Sequence, residues 1–148
     1  MGIALEKMCW GAWTPHKVKM AVSGCPRNCA EATIKDFGVV SVDSGWELHV
    51  GGNGGVKIRA TDLLCKVKTP EEVLEYAGAF LQLYCEEARY LERTAPWIER
   101  VGLNTIKSRL IEDAQGRKAL YRRFRHAQSF RQVDPWAESA HGHDPAEP

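Results

Sequence analysis

The apolar residues of this chain change their period once, at Thr69, and that change limits the possible folds more than any other feature. Ahead of it, apolar residues recur at every second position; beyond it they recur at steps of three and four. Lys17–Ser23 sets Val18, Met20 and Val22 on one face and Lys17, Lys19 and Ala21 on the other, the pattern of a half-buried strand. Gly38–Asp43 and Trp46–Val50 read as two more strands joined at Ser44-Gly45, a hairpin signal. Val56–Ala60 alternates again, and Thr61–Val67 reads as a connecting segment with room for a short strand. At the boundary, Thr69-Pro70-Glu71-Glu72 is a capping box with proline in the first helical turn. Val73, Ala77, Phe80, Tyr84, Ala88 and Leu91 then follow at helical spacing, predicting a helix to about Arg93.

Thr94-Ala95-Pro96 ends that helix and starts another. Trp97–Val101 and Leu103–Ile111 read as helix, bent at Gly102, and Glu112–His126 as a further amphipathic helix with Leu120 and Phe124 apolar. Strands followed by helices predict an α+β fold: a small, mostly antiparallel sheet from residues 17–67 covered by helices from residues 70–126. Gly2–Ala12 reads as a short leading helix closed by Thr14-Pro15, with Trp10 and Trp13 expected in a core or interface. Residues 1–126 then form one domain. Residues 127–148 form a tail, disordered from Val133, where Pro, Gly, His and acids lack any period; His141 and His143 there read as a tail accident, not a metal site.

Between the first two strands stands Gly24-Cys25-Pro26-Arg27-Asn28-Cys29. The reading from spacing is a short helix beginning near Pro26 and running through Asn28–Asp36. Cys25 and Cys29 would then be one turn apart, with Cβ atoms roughly 5–6 Å from each other. A helix N-terminus and Arg27 between them would both favour thiolate over thiol. Two thiolates so placed suit an iron–sulfur cluster or another metal. The alternatives are packed thiols, or a small thiol or zinc module completed by a histidine. A disulfide across one helical turn is strained and is not expected.

Gly51-Gly52-Asn53-Gly54-Gly55 reads either as a flexible hairpin loop or as a backbone nest whose N–H groups meet an anion. It lacks both nucleotide-loop patterns. Cys65, among Leu63, Leu64 and Val67, reads as an inert core thiol, and Cys85 as incidental. Arg117, Lys118, Arg122, Arg123 and Arg125 make a basic cluster that reads as a solvated helix face or as a surface for an acidic subunit. With a net charge of +1 and no nucleic-acid-binding signature, nucleic acid is not an expected partner. No apolar run approaches the roughly 20 residues of a membrane span. Five cysteines without a regular framework, and no signal-peptide pattern, predict a reducing cytoplasm.

The wording of K-M-A-V-S-G-C-P-R-N-C-A-E-A-T-I-K-D-F-G, from Lys19 to Gly38, and of E-L-H-V-G-G-N-G-G, from Glu47 to Gly55, resembles the second half of the sirohaem domain of the assimilatory nitrite and sulfite reductases. The resemblance runs from about Gly2 to about Leu110. It is nearest the carboxyl end of the large subunits of the NAD(P)H-dependent nitrite reductases. In that family C-x5-C followed by C-x3-C holds a 4Fe–4S cluster, and the last cysteine bridges to the sirohaem iron. The resemblance implies that Cys25 and Cys29 are the second pair and that Cys29 is the bridge. It implies that Arg27, Asn28, Gly52 and Asn53 lie against the cofactor. It also implies six-electron reduction of nitrite to ammonia, with single electrons passing from the cluster to the sirohaem iron. No C-x5-C precedes Cys25, and Cys9 has no partner at that spacing. The chain therefore reads as a fragment, with FAD and NAD(P)H on missing N-terminal domains and a small subunit as a further partner. Alone, it is expected to bind neither cofactor, to leave nitrite unreduced and to self-associate through uncovered apolar surface. A sulfite reductase fragment and a non-enzymatic partner-binding domain are the alternatives.

Overall fold

In the computed structural model of this chain, which describes residues 1–134 and Trp136, the sheet ends and the long helices begin at Thr69. Helix α1 (Gly2–Cys9) leads to β1 (Met20–Ser23). A 3-10 turn at Ala32–Ile34 separates β1 from β2 (Phe37–Val42), β3 (Gly45–Val50) and β4 (Asp62–Val67). Helices α2 (Pro70–Glu87), α3 (Thr94–Val101) and α4 (Leu103–Lys107) follow, then a π turn at Ser108–Glu112 and α5 (Ala114–Arg131). The strands lie side by side in chain order. β1 runs parallel to β2, and both other pairs are antiparallel. This is the expected α+β arrangement, with β1 at one edge.

Alternation does the work in the sheet. Val39, Leu48 and Val50 are fully buried on the face that meets α2. From α2, Val73, Ala77, Phe80 and Tyr84 answer them at helical spacing, and all four are fully buried. Phe80 joins the layers: its ring lies 5.7 Å from Phe37 and 5.7 Å from Trp97. Truncating such a residue to alanine costs about 3–5 kcal/mol. The α2 N-terminus is built as expected. The Thr69 hydroxyl accepts from the Glu72 N–H at 3.2 Å, and the Glu72 carboxylate accepts from the Thr69 N–H at 3.0 Å.

Several boundaries differ from the sequence reading, each for a physical reason. β1 begins only at Met20, because Lys19 gives its N–H to the Asp36 side chain. The alternating Val56–Ala60 is a loop closed by a single bridge between Asn53 and Arg59, leaving Val56 and Ile58 exposed. The edge position beside β3 goes instead to β4, which buries Leu64 and Val67. α2 stops at Glu87 rather than Arg93. Ala88 is extended, and the Glu92 side chain accepts from the Arg89 N–H and pairs with Arg100 at 2.7 Å. That pairing holds the Glu92 carboxyl down at about 2. Trp10 and Trp13 are exposed, not core.

α5 runs five residues past His126, to Arg131, and stacks on α2 rather than on the sheet. Gly78 of α2 permits this, since a Cβ there would sit 2.6 Å from a Tyr121 ring carbon. At its far end α5 holds α1. The Gln128 Nε2 donates to the Met8 and Trp10 carbonyls at 3.0 Å each, and Gln132 Nε2 donates to that of Lys7 at 2.8 Å. The tail expectation, with His141 and His143, otherwise lies outside the described residues.

Candidate functional site

The segment carrying Cys25 and Cys29 leaves the end of β1 and is not an α-helix. It is two consecutive turns. Asn28 N–H donates to the Cys25 carbonyl at 3.2 Å, and Glu31 N–H to the Asn28 carbonyl at 2.9 Å. Asn28 and Glu31 both have left-handed backbone, φ 55 and 53, so the helical trace expected over 28–36 is broken twice. A helix macrodipole therefore contributes nothing at these thiols, contrary to the sequence reading.

Side chains supply the order that a helix would have given. Ser23 is buried at the end of β1, and its Oγ accepts from the Ala30 N–H at 3.1 Å and donates to Asn28 Oδ1 at 3.2 Å. The same Asn28 oxygen accepts from the Ala32 N–H at 2.7 Å, while Nδ2 donates to Thr33 Oγ at 2.6 Å. Asn28 is thus the knot of the loop, and its amide is spent on the protein. Held this way, Cys25 is half-buried, and Arg27 and Cys29 are exposed.

Two glycines let the rest of the fold approach this knot. A Cβ at Gly38 would lie 2.1 Å from the Ala32 carbonyl oxygen, and one at Gly52 would lie 2.5 Å from the Ile34 backbone. Gly52 then gives its N–H to the Lys35 carbonyl at 2.9 Å, and Gly51 gives its own to that of Asp36 at 3.0 Å. Asn53 donates its backbone N–H to Arg59 and its side-chain amide to the Lys57 carbonyl, at 2.8 and 2.9 Å. Gly55 N–H donates to Asn53 Oδ1 at 3.1 Å. Those N–H groups are engaged within the protein; Gly52 braces the segment that follows the cysteine loop, and Asn53 orders the glycine loop itself.

Asp36 is the residue that sequence reasoning missed. It is fully buried; one oxygen accepts from the Lys19 N–H at 2.8 Å and from Arg93 Nη2 at 2.7 Å, and the other takes the Thr94 hydroxyl. It ties the start of β1 to the start of α3, its partner Arg93 lying 57 residues further along the chain. The only local signal is a carboxylate placed directly before the apolar run of β2; nothing in the sequence indicates Arg93 as its partner.

All five cysteines are unpaired. Burial pushes the Cys9 thiol up to about 12 and those of Cys65 and Cys85 up to about 11. Such thiols stay protonated at neutral pH and make poor ligands. That leaves Cys25 and Cys29, on one rigid and accessible loop. Among the described residues no three His, Cys, Asp or Glu side chains gather as a metal set. The donor chemistry fits an iron–sulfur cluster, and the pair is half of the usual set of four.

A mixed sheet with a two-cysteine loop at the end of its edge strand defines the class of the unit: an α+β fold that carries a pair of thiols on one loop. The chain belongs to the family described as the nitrite and sulphite reductase 4Fe-4S domain, which matches residues 2–118. It is 61% identical over 138 residues to the nitrite reductase [NAD(P)H] of Bacillus subtilis, covering 93% of this chain and 17% of that relative. It is 42% identical over 121 residues to the nitrite reductase (NADH) large subunit of Escherichia coli, covering 80% of this chain and 14% of the relative. A sulfite reductase of assimilatory type from Nitratidesulfovibrio vulgaris is 32% identical over 111 residues, which is 51% of its length. The chain thus spans a small part of the nitrite reductases it matches.

Proposed function

We propose that this chain is part of an NAD(P)H-dependent nitrite reductase and contributes Cys25 and Cys29 to its 4Fe–4S cluster. The observation that carries this is the thiol loop, fixed by Ser23 and Asn28, within a chain 61% identical to a nitrite reductase over nearly its whole length. When bound, the cluster supplies one-electron transfer to the sirohaem beside it, where nitrite is reduced. The chain's own residues bind and orient. Cys25 and Cys29 would supply two of the cluster's thiolate ligands, and Cys29, the more exposed thiol, would be the one that meets the sirohaem. Arg27, exposed between them, offers positive charge to an anionic cofactor or substrate. Asn28 and Gly52 keep the loop in place, and Asn53 orders the neighbouring glycine loop.

The remaining cluster ligands, the sirohaem pocket, and the flavin and nicotinamide sites belong on other parts of the intact protein. Two relatives are named large subunits, which supports a further subunit as partner. No helix among the described residues is long and apolar enough to cross a membrane. The test uses the intact protein. NAD(P)H-dependent loss of nitrite with formation of ammonium is expected, and preference for sulfite would assign the chain to sulfite reduction instead. Cys29→Ser is expected to abolish turnover and alter sirohaem absorption, whereas Cys65→Ser and Cys85→Ser retain both. Full activity of Cys29→Ser would overturn the ligand assignment.

A further inference from the structure

On the side of the molecule formed by α1's exit, the end of α2 and the end of α5 lies a concavity of about 340 Å³. Its lining includes Trp13, Pro15, Cys85, Ala88, Tyr90 and, from α5, Arg131. Trp13 is 79% exposed and Tyr90 87% exposed, so neither ring serves the core. Yet the backbone beneath them is fixed. Cys85 Sγ–H donates to the Trp13 carbonyl at 3.3 Å, and the Leu91 N–H donates to the Pro15 carbonyl at 3.0 Å. Leu91 takes left-handed backbone, φ 64, to make that bond. Gly11, at φ 75, lets the strand-ward segment pass close to the Arg131 carbonyl, where a Cβ would lie 3.2 Å away. Rigid backbone under exposed aromatics lowers the entropy cost of binding.

Arg131 is the charged residue of the lining, and Lys17 and Arg89 lie one or two residues along the chain from other lining residues. Lys17, Arg89 and Arg131 are exposed and make no ion pair among the described residues. The nearby acids are already used: Glu86 pairs with Arg123, Glu87 with Arg109 and Glu92 with Arg100. Trp, Tyr and Arg are the residue types that carry most of the energy in protein interfaces. A second copy would bring the same positive rim and be repelled.

We propose that the Trp13–Tyr90–Arg131 concavity is a docking site for an acidic polypeptide segment of a protein partner, which seats an apolar or proline side chain between the two rings and its carboxylates on the cationic rim. This site is separate from the cysteine loop and does not depend on the proposed reductase activity. The probe is a blocked peptide, Glu-Asp-Pro-Leu-Pro-Glu-Asp, followed by the ¹⁵N–¹H signals of the full chain. Its charge-reversed counterpart with lysine for each acid, and vesicles of phosphatidylserine and phosphatidylcholine, are the controls. The acidic peptide is expected to move the Trp13 indole and the backbone signals of residues 88–91. Trp13→Ala, Tyr90→Ala and Arg131→Glu should each weaken it by about tenfold, while Arg131→Lys retains it. Added salt should weaken it as well. Equal binding of the lysine peptide, no binding of the acidic one, or indifference to Trp13→Ala would overturn the proposal. So would binding to the anionic vesicles without binding to the peptide, which would make the surface a membrane contact.

Discussion

Replacing Asp36 with alanine tests the central polar contact of the fold. The carboxylate is fully buried, and its Arg93 partner is only 17% exposed. Removing it leaves a guanidinium, the Thr94 hydroxyl and the Lys19 N–H without their acceptor. Breaking a buried ion pair by removing one member costs about 3–5 kcal/mol. With a urea dependence of about 2 kcal/mol/M for a chain of this size, the unfolding midpoint should fall by about 1.5–2.5 M. Asp36→Asn keeps the shape and one acceptor oxygen but loses the charge, and should cost about 1.5–3 kcal/mol. Asp36→Ala with Arg93→Ala should cost clearly less than the sum of the two single changes, because the second no longer strands a charge. Trp97, fully buried, and Trp46, partly buried against the core, report the transition by fluorescence, since Trp10, Trp13 and Trp136 are exposed in the folded chain. A midpoint lowered by less than about 0.5 M in Asp36→Ala, or additive single and double changes, would show that the pair does not hold β1 to α3.

Further outcomes follow from other contacts. Glu92 has its carboxyl lowered from 4.5 to about 2, chiefly by the Arg100 hydrogen bond, so it stabilises the fold above pH 4.5 and loses that contribution as pH falls toward 2. Acid unfolding of Glu92→Gln should therefore be flatter over that window than that of the parent, and identical acid limbs would contradict it. Gly38→Ala, which would push a Cβ into the Ala32 carbonyl, should lower the melting temperature more than Gly24→Ala, where nothing lies within 4 Å. The isolated chain, treated without oxygen with iron and sulfide, should retain no stoichiometric cluster. Bound iron and acid-labile sulfide at one cluster per chain would show that two cysteines suffice.

The sheet and α2 were legible because their signals are local. Alternation at Val39, Leu48 and Val50, and the Thr69–Glu72 box, are each set within a few residues. The same rule assigned a strand to Val56–Ala60, since alternation cannot say which of two adjacent segments reaches the sheet edge; Leu64 and Val67 settle that by burial. The cysteine pair was visible through its surrounding wording, but its backbone was not. Pro26 and Ala30 read as helix, whereas Ser23 and Asn28 take the backbone hydrogen bonds and bend the chain into turns. The exposure of Trp13 was hidden for the opposite reason: composition places tryptophan inside, and only the path of the chain after α1 puts it outside.

The knot at Asn28 also bears on the order in which the molecule assembles. Its hydrogen bonds span four to seven residues, from Ser23 to Ala30 and from Asn28 to Ala32 and Thr33. Closing so short a contour costs little chain entropy and needs nothing from the helices. The contact of Gln128 with Met8 spans 120 residues and must wait for the far end of the chain. During synthesis, the thiol loop can thus take its shape soon after β1 and β2 have emerged, while the Gln128 clasp on α1 waits until α5 is complete. The cysteine pair would then be in position before the body of the domain has closed around it.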